Sequence, residues 1–319
     1  MDHGGEPDFE ALARAAHRRW NADGGAPVLL QRRENAVFRV AGPDGGPAVL
    51  RIHRRGYHSD AALRSELAWM RMLGQAGLPV PTPIPAGDGG DLVNVEGWRA
   101  DMLSWLDGEP LGAIGTPLGL AGTPRRAVFE RLGALAGRLH DRSNAWNRPD
   151  WFKRPAWDLD GLTGENPLWG RPWELATLST GDAGLLRRAM AAARLDLASF
   201  EGDYGLIHAD MLPENILVAD GVPRLIDFDD CGFGWRLFEV ATALFWHRAE
   251  PDYGELEAAL VRGYRQCKSL PETAVTALPL FMLLRGLSYV GWTHTRGQEL
   301  TATLVFDVCA LADEYLAGR

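Results

Sequence analysis

Apolar and polar positions recur with two different periods along the chain, and the period changes near residue 107. Residues 8–20 and 59–75 carry apolar side chains at spacings of three and four, which predicts two helices. The short runs between and after them are β-branched or alternate in polarity, which predicts strands. The predicted strands are residues 27–31, 35–40, 48–53, 92–95 and 98–103. The pattern favours a small lobe made mainly of antiparallel strands.

After Asp107-Gly108 long helical patterns replace the strands. The predicted helices are residues 124–142, 182–200, 252–267, 271–291 and 297–317. Residues 206–230 are an exception, because short strand-like runs surround polar residues there and Asp220-Gly221 predicts a hairpin turn. We therefore predict an α+β chain of two lobes, residues 1–103 and 104–319, with a hinge near 104–107.

Charge makes nucleic acid an improbable partner. The 319 residues include 33 Lys and Arg against 42 Asp and Glu, a net charge of −9. Residues 104–319 hold 21 of the basic and 29 of the acidic side chains, so this part alone carries −8. Binding to nucleic acid needs a basic surface that neutralises phosphates. The excess of acid instead suits a positively charged small molecule.

The remaining composition predicts a cytoplasmic protein that does not act in a membrane. Three cysteines at distant positions indicate neither a disulfide framework nor a zinc site. The first ten residues are polar and acidic, unlike a signal peptide. The most apolar window, Leu278 to Leu287, is interrupted by Arg285 and is shorter than the roughly 20 residues that a membrane helix needs. The oligomeric state stays open.

The densest group of polar residues inside apolar runs lies at His208-Ala209-Asp210, Asn215 and Asp227-Phe228-Asp229-Asp230. The hairpin between Asn215 and Asp227 aims these two side chains at one point. Amide and carboxylate oxygens are hard donors that suit Mg²⁺ and leave room for water and substrate phosphates. Asp210 could then serve as a base beside the metal. The alternative, that Asp210 and Asn215 only cap turns, is disfavoured by the joint spacing.

These residues carry a family resemblance. His208-Ala209-Asp210 with Asn215 resembles the kinase catalytic loop H-R-D-x-x-x-x-N, and Asp227-Phe228-Asp229 stands where kinases have D-F-G. The chain is more similar to the aminoglycoside phosphotransferase and choline-kinase-like family, including its homoserine-kinase-like branch. The resemblance covers about residues 27 to 300. It implies a two-lobed protein-kinase-like fold and the use of ATP and Mg²⁺.

The resemblance also implies roles for individual residues. Asp210 looks like the catalytic base, Asn215 and Asp227 look like the Mg²⁺ ligands, and His208 looks like a structural residue of the loop. In the small lobe, Arg51 stands where the family has a phosphate-binding Lys, and both lysines of the chain lie elsewhere. Glu66 is the expected partner of that cation. The hinge residues Trp105 and Leu106 are candidate main-chain contacts of adenine.

Two positions depart from the family pattern. No G-x-G-x-x-G is present, so the turn Arg33-Glu34-Asn35-Ala36 would have to cover the phosphates with backbone N–H groups and Asn35. Glu239 stands where the family usually has an Asp that braces the catalytic loop. The Glu side chain is longer than that of Asp, so the sequence leaves open whether Glu239 can brace the loop in the same way.

The acceptor is predicted to be a small alcohol. Only 11 residues separate Asp227 from Glu239, which is too short for the segment on which protein kinases hold a peptide. The acidic lobe, with Asp229 and Asp230 beside the motif, suits an amine-bearing alcohol of the aminoglycoside, choline, homoserine or hydroxylysine type. A Ser/Thr protein kinase and a nucleotide-binding pseudokinase are the alternatives.

Overall fold

The computed structural model describes residues 7–22, 24–33, 35–119, 124–296 and 302–319. These residues divide into two units. The first holds the described residues up to Gly108, together with Trp146–Arg154 and Arg224–Ile226. The second holds Glu109–Ala145, Pro155–Pro223 and the described residues from Asp227 onwards. Glu34, which belongs to the turn singled out above, lies outside the described residues.

The first unit contains the strands and helices that the period change predicts. Its elements are α1 (Phe9–His17), a 3₁₀ turn (Arg18–Trp20), β1 (Val28–Arg32), β2 (Ala36–Ala41), β3 (Pro47–Ile52), α2 (Asp60–Gln75), β4 (Leu92–Val95) and β5 (Trp98–Ser104). The strands form one five-stranded antiparallel sheet in the order β1-β2-β3-β5-β4. The prediction of an antiparallel β-rich part is confirmed.

Side chains alternate along β3, so Ala48, Leu50 and Ile52 share one face, whereas Val49 and Arg51 share the other. Phe38, Leu50 and Met102 lie opposite one another on β2, β3 and β5 and are fully buried. Successive side chains of a strand point to opposite faces, so Arg51 faces away from this core. The register places Arg51 directly opposite Asp101 of β5. Directly opposed side chains are close enough to interact, so the strand register itself sets up this pair.

Helix α2 begins and ends at residues that suit those positions. Ser59 caps it, because its Oγ accepts a hydrogen bond from the N–H of Ala62 at 3.2 Å. Gly77, with φ of +76°, lies just beyond its end, where a left-handed residue commonly stops a helix. Glu66 lies between these ends and is fully buried. The Ser59 cap and Gly77 set the bounds of α2 and thereby the position of Glu66 along the helix.

The second unit is mainly helical, with short strands between the helices. Its elements are β6 (Glu109–Pro110), α3 (Arg125–Ala145), β7 (Ala156–Trp157), α4 (Leu159–Thr163), α5 (Thr180–Ala198), β8 (Tyr204–Ile207), β9 (Ile216–Ala219), β10 (Val222–Leu225), β11 (Gly232–Trp235), α6 (Arg236–Phe245), α7 (Tyr253–Arg265), α8 (Glu272–Val275), α9 (Leu278–Arg296) and α10 (Ala302–Ala317). The last two residues of β10 belong to the first unit. The strands form two three-stranded sheets, β10-β9-β6 and β7-β11-β8.

The polar segment of the sequence, His208 to Asp230, lies between β8 and β11 and includes the hairpin of β9 and β10. The turn between β9 and β10 has positive φ at both central residues, 53° at Asp220 and 71° at Gly221. Two such residues match a type I′ turn, whose twist suits a two-residue hairpin. The predicted hairpin is present. It brings Asn215, just before β9, and Asp227, two residues after β10, to the same end.

Two helix predictions need correction. The single helix predicted over 271–291 is wrong, because α8 ends at Val275 and α9 begins at Leu278. Pro279 lies in the first turn of α9, where its missing N–H is tolerated, but it cannot continue a preceding helix. Helix α6 is absent from the prediction because all ten of its residues are buried, so it shows no polar face. The predicted helix over 297–317 is α10 from Ala302, and residues 297–301 lie outside the described part.

One stretch has the length and composition of a membrane span. Among the described residues it is Glu272–Thr295, 24 residues that include the turn between α8 and α9, with a mean hydropathy of 1.4. Its most apolar window is 72% buried inside the protein. A core helix satisfies the same criterion of length and composition, so the stretch is weak evidence for a membrane span.

Candidate active site

The loop that carries Asp210 runs from β8 to a 3₁₀ turn over Pro213–Asn215. Ala209, in its middle, has φ of +65°, a left-handed conformation that costs an L-residue roughly 1–2 kcal/mol. Glu239 of α6 accepts hydrogen bonds from the N–H groups of His208 and Ala209 at 2.6 and 2.7 Å. The glutamate therefore does brace this loop, as the resemblance implies for an aspartate at that position.

Glu239 braces the loop from a fully buried position. Burial raises the pKa of Glu239 to about 7, although the two backbone N–H groups and the charges of Arg236 and Arg285 oppose the rise. His208 is buried as well, and its ring packs edge-on against Phe228 at 4.5 Å between centroids. Its Nδ1 accepts a hydrogen bond from the N–H of Asp210 at 3.2 Å, so it holds the loop, as predicted.

The Asp210 carboxylate is held at both oxygens. Arg285 donates from Nη2 to Oδ1 at 2.8 Å, and Asn215 donates from Nδ2 to Oδ2 at 2.9 Å. The side chain keeps 14% exposure. Burial raises the pKa of Asp210, Arg285 opposes the rise, and the charge of Asp230 adds to it. A carboxyl whose pKa is shifted towards neutrality, with a fixed orientation and partial exposure, is suited to accept a proton.

Arg285 is the main site residue that the sequence prediction missed. It lies in α9, and its side chain is fully buried. Besides Asp210, it donates from Nη1 to the carbonyl oxygen of Ala209 at 2.9 Å. Its guanidinium carbon lies 4.0 Å from the ring centroid of Tyr289, 4.5 Å from that of Trp169 and 5.6 Å from that of Phe238. Tyr289, Trp169 and Phe238 are called the aromatic box below.

The predicted metal ligands have suitable donor atoms. Asn215 Nδ2 donates to the main-chain oxygen of Asp210 at 3.0 Å as well as to its carboxylate. With both amide hydrogens used, Asn215 offers its Oδ1 as the atom that can bind a cation. Asp227 is exposed and has φ of +62°. Among the described residues no group of three or more His, Cys, Asp or Glu could hold a metal. Binding of Mg²⁺ by Asn215 and Asp227, together with water and phosphate oxygens, stays a prediction.

The two candidate acceptor residues differ in exposure. Asp229 is buried, with 5% exposure, whereas Asp230 is partly exposed. Trp169 donates from Nε1 to Asp230 Oδ1 at 3.2 Å, and Trp157 donates from Nε1 to its main-chain oxygen at 3.0 Å. Trp169 also lies against the Arg285 guanidinium that binds Asp210, so it links Asp230 to the Asp210 site. Asp230 is the better placed of the two to meet a ligand near Asp210.

In the first unit, Arg51 lies in a buried cluster of charges. Its Nε and Nη2 donate to Asp101 Oδ1 and Oδ2, each at 2.9 Å, and its Nη1 donates to Glu66 Oε1 at 2.7 Å. The predicted pairing of Arg51 with Glu66 is present. A contact between Arg51 and nucleotide phosphates stays a prediction. Asp101, which the sequence analysis did not single out, makes the bidentate contact.

Two further basic side chains lie beside this cluster. His53 Nε2 lies 2.6 Å from Asp101 Oδ2, and Arg154 Nη1 lies 3.7 Å from Glu66 Oε2. Burial alone would raise the pKa of Asp101, but the charges of Arg51 and His53 outweigh it and hold the pKa at about 2. Asp101 is therefore ionised throughout the neutral range.

The other predicted nucleotide contacts lie in the first unit and make local hydrogen bonds. Asn35 is buried, and its Oδ1 accepts from the N–H of Arg54 at 3.1 Å. Trp105 and Leu106 are half-buried, and Trp105 Nε1 donates to Asp107 Oδ1 at 3.1 Å. These bonds fix the side chains of Asn35 and Trp105. Binding of phosphates and adenine by these residues stays a prediction.

Comparisons with known proteins find similarity to phosphotransferases and small-molecule kinases. The family model described as "Phosphotransferase enzyme family" matches residues 27–274. The solved structure of a microcompartment-associated aminopropanol kinase has a TM-score of 0.81 and 29% identity over 98% of each chain. A homoserine kinase from Acidiphilium cryptum is 29% identical over 79% of this chain and 74% of its own length.

A third comparison concerns the fold alone. The structure of an amicoumacin kinase in complex with AMP-PNP, Ca²⁺ and Ami covers 97% of this chain and 93% of its own. Its TM-score is 0.74 and its sequence identity is 22%. The two-lobed kinase-like fold expected from the loop motifs is thus found in solved structures similar to this chain.

Proposed function

The chain belongs to the phosphotransferase enzyme family, and we propose that it transfers the γ-phosphate of ATP to a hydroxyl group of a small, amine-bearing alcohol. A small-molecule kinase is the function that its relatives support, since similar proteins are named aminopropanol kinase and homoserine kinase. The observation that carries the proposal is the Asp210 carboxylate, which is held at both oxygens beside Asn215 and yet partly exposed.

The Asp210 carboxylate has the attributes of a base for an alcohol. In the proposed reaction the acceptor oxygen bonds to the γ-phosphorus, the bond from that phosphorus to the ADP oxygen breaks, and the hydroxyl proton passes to Asp210. Arg285 and Asn215 fix the direction of the carboxylate, so little reorganisation is needed when the proton moves. Oriented proton acceptors contribute about 10²–10⁴-fold to such rates.

Asn215 and Asp227 are the proposed metal ligands. Mg²⁺, when bound, screens the negative charge of the phosphate oxygens and orients them. The amicoumacin kinase of the same fold holds AMP-PNP and Ca²⁺, which supports the use of a nucleotide and a divalent cation. In the first unit, we propose that the nucleotide phosphates are bound by Arg51, which is paired with Glu66, and by Asn35. The adenine would contact the main chain of Trp105 and Leu106.

Asp230 is the proposed partner of the acceptor's ammonium group. It is partly exposed and accepts a hydrogen bond from Trp169, which also contacts the Arg285 guanidinium that binds Asp210. An ammonium bound there would leave a hydroxyl of the same small molecule within reach of Asp210. A carboxylate near a cleft is costly to desolvate unless a cation meets it, which favours a cationic acceptor. A cytoplasmic location, where ATP is available, fits this reaction.

A screen of amino alcohols and aminoglycosides for ADP release, with the phosphate located on the product, tests the proposal. A matched pair of acceptors sharpens the test, because propanediol carries a neutral hydroxyl where aminopropanol carries its ammonium. We expect the amine to have a KM lower by about tenfold or more, the size of one charge-assisted hydrogen bond. Asp230→Asn should remove that preference, whereas Asp229→Asn serves as the neighbouring control. ADP release with no acceptor phosphorylated, or neutral alcohols outperforming every amine, would contradict it.

A further inference from the structure

Ala209 is held at both of its main-chain groups by buried charged side chains. Its N–H donates to Glu239 Oε2 at 2.7 Å, and its carbonyl oxygen accepts from Arg285 Nη1 at 2.9 Å. A left-handed alanine is unfavourable and persists only where its surroundings hold it. Glu239 comes from α6 and Arg285 from α9, so two helices together fix this residue.

The same guanidinium reaches past Ala209 to the next side chain. Nη1 binds the carbonyl oxygen of Ala209 while Nη2 binds Asp210 Oδ1 at 2.8 Å. The guanidinium is planar and its donors are fixed relative to each other. The spacing of Nη1 and Nη2 therefore sets the Asp210 carboxylate relative to its own backbone. Lysine, with a single ammonium on a flexible stem, lacks this fork.

The aromatic box keeps the guanidinium in place. Arg285 is fully buried, and the ring of Tyr289 lies at cation–π distance, 4.0 Å from the guanidinium carbon. Trp169 contacts the guanidinium at 4.5 Å and also donates to Asp230, so the box is linked to the proposed acceptor residue. A buried charge is unfavourable unless it is well paired. Arg285 is thus a buried charge whose contacts converge on Asp210.

We infer that Arg285 is a positioning residue, which orients the Asp210 carboxylate for phosphoryl transfer through its simultaneous grip on Ala209. The inference rests on the proposed function of Asp210. Arg285→Gln should lower kcat by about 10²-fold, the usual effect of misplacing a reacting group by an ångström, while the KM for ATP changes less than about twofold. Arg285→Lys should recover part of kcat, because a charge remains but the fork is lost.

Arg125→Gln is the matched control. Arg125 lies in the same unit and is half-buried, and its Nη1 and Nη2 donate to Asp252 and Glu250 at 2.8 and 2.7 Å. Both variants lose an arginine that is paired with a carboxylate, so their thermal stabilities are compared first and activities are measured well below both transitions. We expect Arg125→Gln to keep kcat within about threefold of the wild type, because it leaves Asp210 in place.

A double mutant separates positioning from general damage. If Arg285 acts only through Asp210, adding Arg285→Gln to Asp210→Asn should lower the residual rate by less than about threefold. An additive loss of about 10²-fold would overturn the inference.

Amide hydrogen exchange decides the question without any enzymatic activity. Residues 208–215 should exchange faster in Arg285→Gln than in the wild type and in Arg125→Gln. Unchanged exchange there would overturn the positioning role, whatever the activity. Faster exchange in a protein that phosphorylates no acceptor would support the role of Arg285 in the loop and reject the proposed function instead.

Discussion

Arg51 in the first unit and Arg285 in the second are both buried, but they hold different kinds of partner. Arg51 donates to two carboxylates, Asp101 and Glu66, with His53 and Arg154 close by. Arg285 has one carboxylate and one main-chain carbonyl as partners, and aromatic rings surround it. The first arrangement is a charge cluster that joins β3, β5 and α2. The second holds a single reactive side chain in a strained loop.

The difference shows what each arginine can contribute to catalysis. Removing Arg51 would leave two buried acids without their main counter-charge, which is a large perturbation of the first unit. Removing Arg285 would take away the hydrogen-bond donors of the Asp210 carboxylate and of the Ala209 carbonyl oxygen in the same loop. We therefore expect the first arginine to affect nucleotide binding and stability, and the second to affect the transfer step.

The largest effect should follow from removing the partner of Arg285. Asp210→Asn keeps the shape of the side chain but not its basicity, so kcat should fall about 10²–10⁴-fold. Binding of ATP with Mg²⁺, measured by titration calorimetry, should stay near the wild-type value. Full activity of this variant on the true acceptor would show that Asp210 is not the base.

The next largest effect should be on metal-dependent binding. Asp227→Ala removes a proposed ligand and should weaken ATP binding in the presence of Mg²⁺ by about 10²-fold, as loss of metal-site groups commonly does. Binding without Mg²⁺ should change little, which serves as the internal control. Identical titrations for both proteins with and without Mg²⁺ would refute the assignment.

The two regions should also respond to pH with opposite signs. Asp101 has a lowered pKa, of about 2, so its contribution to stability is present above about pH 4 and is lost as pH falls towards 2. Glu239 has a raised pKa, of about 7, so its carboxyl destabilises increasingly as pH rises from about 4.5 through 7. The change amounts to about 2 kcal/mol for Asp101 and about 3 kcal/mol for Glu239.

Unfolding free energies of Asp101→Asn and Glu239→Gln, measured against the wild type between pH 3 and pH 8, would show these slopes. The difference between wild type and Asp101→Asn should grow as pH rises from 3 to 5. The advantage of wild type over Glu239→Gln should shrink from 5 to 8. Parallel curves for both variants would contradict the assigned environments.

A smaller effect should distinguish arginine from lysine at position 51. Arg51→Ala should raise the KM for ATP by about tenfold and lower kcat, whereas Arg51→Lys should restore part of both. Restoration stays incomplete because lysine cannot make the bidentate contact with Asp101. An Arg51→Ala variant that binds ATP as the wild type does would remove Arg51 from the nucleotide site.

The pattern of apolar and polar residues predicted those strands, helices and turns whose bounds are set by neighbouring residues in the sequence. The strands of the first unit alternate in polarity, and α2 has a serine cap and a terminal glycine, so their ends are within a residue of the prediction. The loop from His208 to Asn215 and the hairpin after it are contiguous in sequence. Their residue types and spacing were therefore sufficient to suggest a kinase-like site.

Contacts between distant residues could not be predicted in this way. Arg285 lies 75 positions from Asp210, and in the sequence it only interrupts an apolar window. That interruption was the available signal, because a charge inside a buried helix needs a partner. Trp169 lies between predicted helices in a part of the chain for which no element is predicted, and Asp101 is an ordinary polar residue of a predicted strand. Their roles depend on register and tertiary packing.

The different roles of the two buried arginines are tested most directly by comparing Arg51→Gln with Arg285→Gln side by side. Affinity for ATP with Mg²⁺ and the single-turnover rate of phosphoryl transfer at saturating ATP are measured for both. We expect Arg51→Gln to weaken the affinity for ATP by about tenfold, with a smaller effect on the transfer rate. We expect Arg285→Gln to lower the transfer rate by about 10²-fold and to leave the affinity for ATP unchanged. Equal losses of affinity in the two variants, or equal losses of rate, would contradict these different roles.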